Sequence, residues 1–130
     1  MTKEERTILV AREIERAKHY LAQSDEMISP GHWDIAANRK YYACFHAVQA
    51  LFVNRGISGN THKGMISQFS MNFVKTNEIA TSYGSFLSRM MQLRQKADYN
   101  CFYDIGEEDV RTLSKPTHEF VNVVLSKINK

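Results

Sequence analysis

The run WDIAANRKYYACFHAVQALFV, residues 33–53, constrains this chain more than any other stretch. Wound at 3.6 residues per turn, it sets apolar side chains at almost every angular position, and a helix that is apolar all round belongs at the centre of a bundle. Ala36, Ala43, Ala47 and Ala50 follow one another at spacings of seven, four and three, which thins one side and lets a neighbouring helix axis approach. Trp33, Tyr42, Phe45 and Phe52 supply bulk elsewhere. Arg39, His46 and Gln49 interrupt this apolar surface, and each needs a polar partner wherever it is covered.

The remaining segments read as helices able to enclose that centre. Residues 2–27 carry Val10, Ile14, Ala17 and Leu21 on one stripe with charges around it, the pattern of a long amphipathic helix. Ser29-Pro30-Gly31 ends it, since proline cannot continue the ladder and glycine turns freely. Asp34 stands where a carboxylate favours the free amides of the next helix start, and Gly56-Ile57-Ser58-Gly59-Asn60 closes that helix with a loop. A third helix is expected over 61–74, with Met65, Phe69 and Phe73 one turn apart. A fourth has the most regular stripe of the chain, Tyr83, Phe86, Met90, Leu93 and Ala97, and frays near Tyr99-Asn100 into an aromatic-bearing loop over 101–105. Glu107, Glu108 and Asp109 open the last helix at its positive pole. Val110, Leu113, Thr117, Phe120, Val124 and Ile128 keep one phase across Pro116, which argues for a single kinked helix. No strand-like alternation competes. The expected class is all-α, an antiparallel up-and-down bundle of about five helices in a single domain, 1–130.

Composition narrows the function classes. A chain of 130 residues with 43% hydrophobic content suits one core burying about two-thirds of the unfolded surface. The net charge of +3 and pI of 8.9 permit contact with nucleic acid, without the bias of a dedicated electrostatic binder. Cys44 and Cys101 stand in no CxxC pattern, so free thiols in a reducing compartment are expected. The segment MTKEERTILV carries charges where a leader needs an apolar core, and no apolar run approaches the ~18 residues of a membrane span. A cytoplasmic protein with no membrane contact is the expectation.

Fixed catalytic motifs are absent, including the P-loop, GxGxxG, HExxH and GxSxG. The five histidines form no i, i+4 chelate, so neither metal nor cofactor is expected. Two constellations stand out. Arg39 and His46, seven residues apart, share a helix face with about 10 Å between them along the axis. Together they could hold a phosphate and move a proton; the more economical reading makes Arg39 an ion-pair partner of another helix and His46 a hydrogen-bonded core residue. In LRQKADY, residues 93–99, Arg94 and Asp98 are one turn apart and Tyr99 and Tyr103 bring hydroxyls nearby. An arginine fork beside phenols at a helix end can grip phosphate, or it can be a salt bridge capping the helix.

The series NRKYYACFHAVQALF, THKGMISQF, FVK and LRQKADY, closed by EED and EFVNVV, resembles the HEPN domain family over nearly the whole chain, and in particular its small stand-alone bacterial and archaeal members. The resemblance implies a homodimeric helical bundle, often paired with a minimal nucleotidyltransferase in a two-component toxin and antitoxin system. In many relatives it also implies a metal-independent ribonuclease, with an arginine followed four to six residues later by a histidine, two copies meeting across the dimer cleft. Arg94 matches the arginine, but Asp98-Tyr99 follow and no histidine stands before His118. An aspartate repels RNA phosphate at neutral pH. The leading expectation is therefore a partner protein that binds nucleotide or RNA in the cleft through Arg94, Tyr99, Tyr103 and Arg39. The alternative is an endoribonuclease using Arg94, Asp98 and Tyr99, with His46 lent from the second helix. A small-ligand-binding bundle is the third.

Overall fold

The structure, a computed structural model, describes residues 1–59, 61–99 and 104–128, with the side chain of His62 left out. Among these residues there are five helices: α1 Lys3–Glu26, α2 Trp33–Arg55, α3 His62–Phe69, α4 Thr81–Tyr99 and α5 Glu107–Ser126. The all-α reading of the sequence holds, and α2 lies where its composition sends it.

Each boundary has a local cause. Thr2 and Glu5 exchange side-chain-to-backbone hydrogen bonds of 3.0 and 3.2 Å at the start of α1, a capping box that satisfies two free amides. Gly56 closes α2 with φ of 69°, a left-handed turn that a side chain would oppose. At the start of α5 the Asp109 carboxylate accepts the Gly106 amide at 3.0 Å. Pro116 sits inside α5, which runs through it as one helix. Next to it the Thr117 hydroxyl donates to the Leu113 carbonyl at 2.7 Å, so this buried polar group is satisfied.

The third helical stretch differs from a plain α-helix. After Phe69 the chain widens into a π-helical segment, Ser70–Val74, whose closing bond runs from the Lys75 amide to the Ser70 carbonyl at 2.9 Å. Met65, Phe69 and Phe73 recur every four residues, a period that drifts around a 3.6-residue helix. The wider turn slows that drift and keeps all three side chains buried.

α1 lies antiparallel along α2. Ser24 donates to the Ala36 carbonyl at 2.8 Å near one end, and Glu13 meets His46 at 2.8 Å towards the other. α4 also runs against α2, with Arg94 donating to the Tyr42 hydroxyl at 3.2 Å. α5 runs parallel to α2, from Arg111 over the Trp33 ring to Arg55 donating to the Lys127 carbonyl at 3.0 Å. Phe120 of α5 is fully buried among the rings of Phe69, Tyr83 and Phe86 at 5.6 to 6.3 Å. Burial of this kind stabilises by roughly 1.5–3 kcal/mol per large side chain. On α4, Phe86 and Met90 enter the core, as their spacing predicts, whereas Ala97 stays exposed because the groove it borders is open.

Two charged sites bear on stability. Lys40 is fully buried on α2, and its Nζ has no hydrogen-bond partner among the described residues. Burial lowers its pKa from the ordinary 10.5, against the opposing pull of Asp25. Arg55 grips Glu78 through two hydrogen bonds of 3.0 and 2.6 Å, and those bonds hold the Glu78 carboxyl below its ordinary 4.5.

Lys40→Met is expected to raise stability by about 1 kcal/mol or more near neutral pH, seen as a higher urea midpoint at unchanged slope. The unfolded chain binds the extra proton between the lowered pKa and 10.5, so wild-type stability climbs with pH in that window and the gap to the variant narrows. A variant less stable than wild type would count against the unpaired amine. Glu78→Gln is expected to cost about 1 kcal/mol at neutral pH. The Glu78 carboxylate's contribution is in place above 4.5 and disappears as pH falls through the lower folded value, so the two melting curves should converge in acid.

Candidate functional site

A groove of about 350 Å³ lies between the first half of α2 and the second half of α4. Ala37, Leu93, Ala97 and Ile105 give it apolar walls, while Arg39, Arg94, Asp34, Asp98 and Asn38 bring polar groups to it.

Arg94 is the most constrained of these. Its guanidinium carbon lies 4.9 Å above the Tyr41 ring centre and 5.5 Å from that of Tyr42, close enough for the quadrupoles of both rings to attract the cation. Nη2 donates to the Tyr42 hydroxyl at 3.2 Å and lies 3.4 Å from the Asp98 carboxylate. Nε is buried without a hydrogen-bond partner among the described residues. Burial alone would lower the pKa of this group, but Tyr42, Tyr41 and Asp98 turn the net shift upward, and the cation persists. Burial likewise raises the Tyr41 phenol well above its ordinary value, so the ring beneath the guanidinium stays neutral.

The other sequence candidates fall in different places. Arg39 reaches the groove and donates to Gln23 at 3.0 Å and to Asn38; its partners are amides, not the carboxylate expected from the sequence. His46 does not line the groove. It sits in the α1–α2 seam, with Nδ1 2.8 Å from Glu13, both side chains about one-tenth exposed, and its ring stacked on Tyr20 at 5.4 Å. Tyr42 connects the two places, through its hydroxyl on Arg94 and its ring 6.4 Å from His46. Tyr99 ends α4 with 83% of its surface exposed. Tyr103 and Cys101 lie outside the described residues. Cys44 is a buried free thiol whose pKa is raised by burial, which makes it a poor nucleophile. Among the described residues no cluster of His, Cys, Asp and Glu could hold a metal ion, and no helix is long and apolar enough to cross a membrane.

The family profile described as the HEPN domain matches residues 10–128. The chain belongs to the HEPN domain family. Its relatives include a Methanocaldococcus jannaschii protein bearing the name "Putative toxin", 31% identical over 84% of this chain and 74% of the relative. A UPF0332 protein of Thermotoga maritima is 30% identical over 84% of this chain and 83% of its own. A UPF0332 protein of Archaeoglobus fulgidus is 25% identical over 90% and 93%.

What this HEPN domain adds to the sequence reading is the pair of tyrosines beneath Arg94. Tyr41 and Tyr42 read as packing residues of α2, and Arg94 lies more than fifty positions away, so no local spacing announces the contact. Glu13 was hidden in the same way on the charged flank of α1.

A double-mutant cycle on Arg94→Met and Tyr41→Leu should return a coupling of about 1 kcal/mol in urea unfolding. Strict additivity would mean that the ring does not hold the guanidinium.

Proposed function

We propose that this HEPN domain is the homodimeric partner of a minimal nucleotidyltransferase in a toxin and antitoxin-like pair, and that its α2–α4 groove binds the phosphate of a nucleotide or RNA. The observation that carries the reading is Arg94: a guanidinium held on two tyrosine rings where it lines the groove. A cation fixed before its ligand arrives loses little freedom on binding, and an arginine fork suits phosphate geometry. Arg39 at the same groove would supply a second cation. The toxin names of two relatives support the cellular setting.

Those names also favour a second reading, a metal-independent ribonuclease in which Arg94, Asp98 and Tyr99 act with His46. It ranks lower because Asp98 faces Arg94 as an anion and His46 is engaged by Glu13 away from the groove. The apolar walls keep a small-ligand site as a third reading, and the arginines make phosphate the better fit.

Purification from native lysate is expected to recover a nucleotidyltransferase with the wild-type chain, and light scattering at micromolar concentration to give a dimer. A monomer with neither that partner nor bound nucleotide would defeat the proposal. Cleavage of RNA in EDTA by wild type, lost in Arg94→Ala with the fold intact, would instead promote the ribonuclease.

A further inference from the structure

Asp98 is an unusual neighbour for an anion-binding arginine. It stands one helical turn after Arg94 with its carboxylate 3.4 Å from Nη2, longer than the ~2.7–2.9 Å of a well-made charge-assisted hydrogen bond. Nη2 is shared with the Tyr42 hydroxyl. The Asp98 side chain is 39% exposed, the Arg94 side chain 20%. The arginine is thus held by its rings, and the aspartate is the more exposed and more loosely bonded half of the pair.

From this geometry we infer that Asp98 is a built-in anion that occupies Arg94 until a phosphate monoester displaces it. The inference rests on the reading of the groove as a phosphate site. The described lining holds two arginines, Arg39 and Arg94, against two aspartates, Asp34 and Asp98. Among the described residues Arg39 donates to the neutral amides of Gln23 and Asn38, so outward rotation of Asp98 leaves the described lining with a net positive charge. A phosphodiester carries one negative charge and only replaces one monoanion by another, while a monoester carries about −1.5 to −2 near neutral pH. The groove therefore selects a terminal phosphate, on a free nucleotide or at an RNA end, over an internal linkage. The tether makes Asp98 a competitor that raises the threshold for every anion, and the doubly charged one clears it best.

Calorimetric titration near neutral pH tests this with AMP, the dinucleotide ApA and a 5′-phosphorylated tetranucleotide. Wild type should bind AMP at least about fivefold tighter than ApA. Asp98→Asn and Asp98→Ala, each with unchanged circular dichroism, should tighten AMP by at least about fivefold, and Arg94→Ala should abolish binding. A tetranucleotide tighter than AMP identifies an RNA end as the source, and the reverse order identifies free nucleotide; either supports the monoester. Wild-type binding of AMP with no gain in both Asp98 variants, or with ApA bound as tightly, overturns the inference while the phosphate reading stands. No binding of any probe by wild type or either variant sinks both.

Discussion

The enclosure of α2 by α1, α4 and α5 is the constraint on which the rest of this structure depends. A helix apolar on nearly all sides gains only by being covered, and its alanines let α1 lie close along it while its aromatic residues meet the other neighbours. Covering it fixes the direction of every long helix. It also forces the polar residues of α2 into contact with whatever the neighbours bring: Arg39 finds Gln23, His46 finds Glu13, and Tyr42 finds Arg94.

The candidate site is a consequence of where that enclosure stops. Towards the end of α4 the packing against α2 opens, Ala97 and Tyr99 face outward, and Arg94 is the last side chain held firmly by the core. Two rings of α2 carry its positive charge, and a loosely placed carboxylate partly neutralises it. A cation so supported is fixed in space yet incompletely paired. Lys40, by contrast, is a charged group covered without a partner among the described residues, and it opposes folding instead of serving a ligand.

Much of the fold could be read along the chain because its signals are local. The stop at Ser29-Pro30-Gly31, the left-handed Gly56, the acidic start of α5 and the continuous stripe across Pro116 each act within a few residues. The π-helical segment after Phe69 was not read, although the four-residue recurrence of Met65, Phe69 and Phe73 was its sign. The site was legible only in part. Arg94 and Asp98 sit one turn apart and announce their pairing, but Arg94 with Tyr41 and Tyr42, and His46 with Glu13, join positions more than thirty residues distant. Nothing in either local pattern encodes such contacts.

By itself the amino-acid sequence determined the class, the limits of the long helices, the central place of α2 and the family, because hydrophobic period, capping and turn chemistry are written within single segments. Tertiary structure decided which polar groups meet. It carried His46 into the α1–α2 seam and away from the groove, set Arg94 on its two rings, and left Ala97 uncovered. The physical reason is that side-chain pairing follows helix packing, and packing depends on how several apolar faces close together, a property no one segment possesses.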